Sequence, residues 1–180
     1  MPTETFGDHL TLEVGDQTLE LDYLGINHSA GNIFIYAPKQ KLLMLVDVVF
    51  PGWSMFRDLA LAEDVPGFIQ AHDATLAYDF DTFVGGHLTR TGTREDVEIQ
   101  REYVMDMVAN ATQALQTVDF FAIGMEVGFE NQWLLFESYL NALTDMCADL
   151  TLEKWGDQLG GADIFTPSHC FQIIASLRIE

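Results

Sequence analysis

Positive charge is what this sequence has least of. Against 28 Asp and Glu it carries only 8 Lys and Arg, a formal charge of −20. A surface of that sign repels phosphate backbones and anionic headgroups, which excludes nucleic acid and membrane surfaces as partners. The same shortage leaves few cations to neutralise a carboxylate that folding buries, and a metal ion is one other source of positive charge. Cysteine is scarce as well. Cys147 and Cys170 make no disulfide framework and read as two buried free thiols, which fits a reducing cytoplasm. No run of 18 apolar residues occurs, and the polar opening MPTETFGDHL lacks the pattern of a signal peptide. Apolar residues, by contrast, make up 48% of the chain and aromatics 12%, enough for a folded core in 180 residues.

Apolar and polar residues alternate through LTLEVGDQTLELDYL on either side of Gly15-Asp16, the pattern of a β-hairpin with a two-residue turn. NIFIYA and KLLMLV are short apolar runs separated by PKQ, and their lack of alternation predicts strands covered by helices on both faces. AEDVPGFIQAHDATLAY reads as a helix capped by Asp64 with Pro66 in its first turn, and DTFVGGH as a strand entering a glycine turn. From Thr93 the pattern changes to helical, with a Thr-x-x-Asp capping box and a stripe of Val104, Val108, Ala111 and Leu115. NQWLLFESYLNALTDMCADL continues the stripe through Phe136, Tyr139, Leu140 and Leu143, and helix breaks are expected at Gly160-Gly161 and Pro167. The organisation this predicts is a β-rich half-domain over residues 1–92 and a mainly helical region over residues 93–180.

Three side chains stand at or just past the edge of an expected strand: His28 after the hairpin, Asp47 at the end of KLLMLV, and His87 after TFVGG. Ligands of open α/β sheets collect outside the carboxyl ends of the strands. Two imidazoles and a carboxylate suit zinc, iron or manganese. Taken singly, Asp47 is equally a salt-bridged or turn carboxylate, and His28 a satisfied polar residue. Other clusters carry less. Glu126 and Glu130, one helical turn apart with no histidine at di-iron spacing, read as a solvated face. Ser168-His169-Cys170 sets triad residue types side by side, but triads are assembled in space rather than along the chain. The aromatic stretch holding Phe120, Phe121, Met125, Phe129 and Trp133 reads as core packing plus a dimer face.

YLGINHSAGNIFIYAPKQKLLMLVDVVFPG, followed by FVGGHL, resembles the metallo-β-lactamase superfamily over residues 6 to 104. The resemblance implies that His28, in an H-x-x-G turn, binds one zinc and that His87, in a Gly-His turn, binds another. Asp47, ending an apolar strand, then bridges two zincs or ligates one. The family's upstream H-x-H-x-D-H motif is absent: His9 alone precedes His28, His72 follows Asp47, and Val46 stands where the family has glycine. What is implied is an α/β fold, half of a metallo-β-lactamase-like αββα sandwich followed by a helical C-terminal region. A lone half exposes an apolar face, so a homodimer is expected. Two functions then compete. One is a zinc-dependent hydrolase of small-molecule substrates whose missing ligands come from elsewhere; the other is a non-catalytic dimeric half-fold with at most one structural metal.

Overall fold

The computed structural model describes residues 3–88 and 90–179. In chain order it forms β1 (His9–Val14), β2 (Gln17–Asp22), β3 (Phe34–Ala37), a 3-10 turn (Pro38–Gln40), β4 (Leu42–Met44), α1 (Arg57–Leu61), α2 (Val65–Ala77), β5 (Thr82–Val84), α3 (Arg94–Thr117), α4 (Phe120–Val127), α5 (Gln132–Trp155) and α6 (Ala162–Ile179). The hairpin turns where the alternation predicts, with Val14 opposite Gln17 and Gly15 at φ 64°, a conformation open to a residue without Cβ. Strands β1 to β4 run antiparallel in sequence order. The chain then passes through α1 and α2 and returns as β5, parallel to β4, at the edge of a five-stranded sheet.

The register decides which side chains the helices cover. Phe34, Leu43 and Phe83 are fully buried and share one core with Phe68 of α2 and Val97 and Val104 of α3. On the opposite face Leu10 pairs with Leu21, Leu21 with Ile35, Ile35 with Met44, and Met44 with Val84. These five are only partly buried. Burial on both faces, expected from the unalternating runs, is therefore corrected: the runs are apolar throughout, yet only one of their faces is fully buried. The second face is an apolar stripe crossing all five strands, as a sandwich layer without its opposite layer requires.

Local signals in the helices act as their chemistry predicts. The Asp64 carboxylate accepts from Gly67 N–H to start α2, and Thr93 and Asp96 cap α3 reciprocally. Glu126 and Glu130 are both exposed, although Glu130 lies past the end of α4 and shares no helical face with Glu126. Pro167 does not break the chain: it sits inside α6, where it forfeits one backbone hydrogen bond while Ser168 Oγ donates to Phe165 O nearby.

Cys147 and Cys170 are not free thiols. They form a buried disulfide joining α5 to α6. A sequence separation of 23 said nothing of this, because pairing depends on how two helices pack. With it goes the ground for inferring a reducing compartment. Among the described residues no helix is long and apolar enough to cross a membrane. Replacing both cysteines with serine is expected to lower the unfolding free energy by about 3 kcal/mol through the lost restriction of the unfolded chain. Urea denaturation of the double variant measures this, and an unchanged midpoint would mean that the link carries no stability.

Candidate metal site

Because β4 and β5 are parallel, their carboxyl ends open at the same edge of the sheet. Pairing continues past both strands, with Leu45 N–H donating to Val84 O and Asp47 N–H to Gly85 O. Asp47 and His87 thus leave the sheet side by side. Asp47 turns out of the extended path at φ 63°, in the left-handed region that aspartate tolerates better than β-branched residues do. The glycine before His87 permits the close approach: a Cβ on Gly86 would fall 2.7 Å from Val46 Cγ1.

His28 comes from the β2–β3 loop, and buried Asn27 sets its place. Asn27 Oδ1 accepts from His28 N at 2.7 Å and from Asn32 Nδ2 at 2.9 Å. Asn32 Nδ2 also donates to Val46 O at 2.8 Å, while Glu63 N–H donates to His28 O and Asp64 N–H to Asn27 O. The loop is thereby tied to the strand exit that carries Asp47 and to the start of α2. Sequence reasoning missed both asparagines; their only trace was that they flank the H-x-x-G turn.

All three expected residues come together. His28 Nε2 lies 3.3 Å from Asp47 Oδ2, and His87 Nε2 lies 2.6 Å from Asp47 Oδ1, one carboxylate oxygen to each ring. Asp47 Oδ1 and His28 Nδ1 are nevertheless buried without a hydrogen-bond partner. Orphaned buried polar atoms are rare in folded proteins and mark places where a water or an ion belongs. His87 forms the rim: its side chain is 52% exposed, against 19% for His28 and 18% for Asp47. It stacks on Phe50 at 5.9 Å and meets the edge of Phe56 at 6.2 Å.

The donor chemistry fits a borderline metal such as zinc. Ligands at tetrahedral zinc stand roughly 3.3 Å from one another. The His28–Asp47 separation has that value, whereas His87 crowds the carboxylate. Among the described residues no group of three or more His, Cys, Asp and Glu is arranged to hold a metal ion as it stands. The close His87 contact closes the gap an ion needs, and three donors are in any case one fewer than a closed zinc site uses.

The remaining titratable candidates are engaged elsewhere. His9 pairs with Asp22 on the hairpin, and His72 is buried in α2 with Nδ1–H donating to Phe68 O. Burial pushes the His72 pKa down to about 4. Ser168 and His169 accept the backbone N–H groups of Asp58 and Leu59, so both hold the α1 turn and neither is arranged as a triad.

No protein-family model matches the chain. Over 91 residues, 49% of its length, it is 30% identical to the 2,4-dinitroanisole O-demethylase subunit alpha of Nocardioides sp. (strain JS1661), and the match covers 26% of that protein. The sec-alkylsulfatase Pisa1 from Pseudomonas sp. superposes on 96% of this chain and 26% of its own, with a TM-score of 0.59 and 15% identity. A metallo-β-lactamase from Pontibacter korlensis superposes on 56% of this chain and 49% of its own, with a TM-score of 0.48 and 23% identity. The chain spans about a quarter of the length of both the curated relative and the alkylsulfatase.

Proposed function

We propose that this chain, whose fold is half of a metallo-β-lactamase-like sandwich, is the corresponding half of a zinc-dependent hydrolase. His28 and His87 are its metal ligands, and Asp47 is the carboxylate between them. The observation that carries the reading is their convergence from three separate loops on one carboxylate, with His28 Nδ1 buried and without a hydrogen-bond partner. What zinc supplies when bound is a water acidified toward neutrality, and so a hydroxide nucleophile. The protein's own residues prepare the place. Asn27 fixes the backbone of His28, Phe50 and Phe56 keep water from one side of His87, and Asp47 offers a separate oxygen to each ring.

The missing donors have to arrive with whatever covers the apolar sheet face. A second copy packed sheet on sheet is the simplest candidate, because a two-fold interface needs only one self-complementary surface. The relatives' names, an O-demethylase of 2,4-dinitroanisole and a sec-alkylsulfatase, suggest small apolar ethers and sulfate esters as first substrates to assay. Phe56, partly exposed beside His87, gives such a substrate an apolar contact.

Light scattering and elemental analysis of protein purified without added metal test the assembly. The expected result is twice the 20.2 kDa chain mass, with bound zinc. A metal-free monomer would contradict it. The count of only three donors favours a second reading, a non-catalytic dimer with at most one structural metal. Under that reading the zinc-loaded dimer turns over neither sec-octyl sulfate nor 2,4-dinitroanisole; measurable release of sulfate or methanol decides for the hydrolase.

A further inference from the structure

Between α5 and α6 lies a groove of about 280 Å³ that shares no lining residue with the histidine cluster. It is lined by Phe136 and Leu140 of α5 and by Phe171, Ile174, Ala175 and Arg178 of α6. Spacings of three and four along each helix put these side chains in two facing stripes. The Cys147–Cys170 disulfide, one residue from Phe171, ties the two helices together beside the groove.

Among the described residues Arg178 is the only polar side chain in the lining. Its guanidinium carbon lies 5.3 Å from the Phe136 ring centroid and 5.6 Å from that of Tyr139. The other cations are committed elsewhere. Lys39, Lys41, Arg57, Arg90, Arg101 and Lys154 each lie within ion-pair distance of a carboxylate, and Arg94 donates to the carbonyls of Leu76 and Tyr78. Among the described residues Arg178 alone meets ring faces and neither a carboxylate nor a carbonyl. In a chain with 28 acidic side chains and 8 basic ones, a cation that meets no acid among the described residues is the exception. A guanidinium that meets only rings among the described residues keeps its N–H donors for an acceptor from outside.

We propose that the groove binds an amphiphilic anion, with an apolar tail against Phe136, Leu140, Phe171 and Ile174 and a carboxylate, sulfate or phosphate headgroup on Arg178. Both parts of the ligand are matched: the lining is apolar apart from one end, and that end carries a positive charge with no carboxylate partner among the described residues. The acidic surface elsewhere repels such an anion, which confines its attraction to this place. The volume lies at the small end of ligand pockets, suiting a short amphiphile better than a folded partner.

Isothermal titration of the full chain with decanoate and with decyl sulfate, both below their micelle concentrations, tests the proposal. One saturable site per chain is expected for each. Arg178→Met should weaken binding at least about tenfold, the size of one lost charge-assisted contact. Ala175→Trp, which fills the groove and leaves the charge, should abolish binding, while His87→Ala should bind as the parent does. Circular dichroism confirms that each variant keeps its helices. Absence of saturable binding to the parent, or undiminished binding in both groove variants, would overturn the proposal. So would a dimer mass that falls to monomer in both groove variants, which would make the groove an interface between copies.

Discussion

Replacing His169 with alanine is expected to lower the unfolding free energy by about 4 kcal/mol, the largest single-residue effect outside the apolar core. The reason lies in α1, which winds left-handed. Asp58 (φ 55°, ψ 47°), Leu59 (φ 54°, ψ 49°) and Ala60 (φ 58°, ψ 34°) are followed by Leu61 at φ 59°. Each non-glycine residue in that region costs roughly 1–2 kcal/mol, so the turn persists only because its surroundings hold it. Three hydrogen bonds from α6 do so. Ser168 Oγ accepts from Asp58 N–H at 3.0 Å, His169 Nδ1 accepts from Leu59 N–H at 2.9 Å, and His169 Nε2–H donates to Met55 O at 3.0 Å. Alanine at 169 leaves a buried N–H and a buried carbonyl without partners and opens a cavity. Leu61→Gly is the converse test: Leu61 is 60% exposed, and relieving its left-handed backbone should raise stability by about 1 kcal/mol.

The pH dependence has a definite sign. Burial pushes the pKa of His169 down to about 4, against an ordinary value of 6.5 that the unfolded chain regains. Between those values the unfolded state binds more protons, so this histidine's contribution is complete above pH 6.5 and is lost as the pH falls toward 4. His72, depressed by burial to the same value, acts in the same direction. Urea midpoints at pH 7 and pH 4.5 should therefore differ more for the parent than for His169→Ala. Equal slopes would show that the ring is not held neutral in the fold.

The second large effect is expected at Asp47. Asp47→Asn should weaken zinc binding more than about a hundredfold, beyond the loss usual for an outer-shell partner of a ligand. The same change should leave metal-free stability intact, since the amide keeps the shape of the carboxylate and still meets the His87 ring that lies 2.6 Å from Asp47 Oδ1. A structural ion pair behaves in the opposite way: the neutral amide would destabilise the metal-free protein, and zinc would be irrelevant. Titration calorimetry with zinc and thermal unfolding of the apo variant separate the two.

How much of this was legible in the sequence depended on how local each signal was. The Gly15-Asp16 hairpin, the Asp64 cap and the Thr93–Asp96 box are decided within a few residues, and they stand where patterning puts them. The convergence of these side chains was legible in part because His28, Asp47 and His87 each follow a strand and β4 and β5 exit together. Side-chain periodicity could say that Leu21 and Ile35 are apolar, but not that their face lacks a covering layer. The disulfide and the loop-fixing role of Asn27 depend on contacts between distant segments. RDLAL is made of residues that favour a right-handed helix, and nothing in it signals the reversal that Ser168 and His169 hold in place from 110 residues away.

Diffraction from crystals grown with zinc, measured at the zinc absorption edge, addresses the half-site most directly. An anomalous peak about 2.0–2.2 Å from His28 Nε2, an Asp47 oxygen or His87 Nε2 is the predicted result, with His87 drawn back from the carboxylate to admit the ion. A map with no peak there, and both rings still packed directly against Asp47, would contradict it.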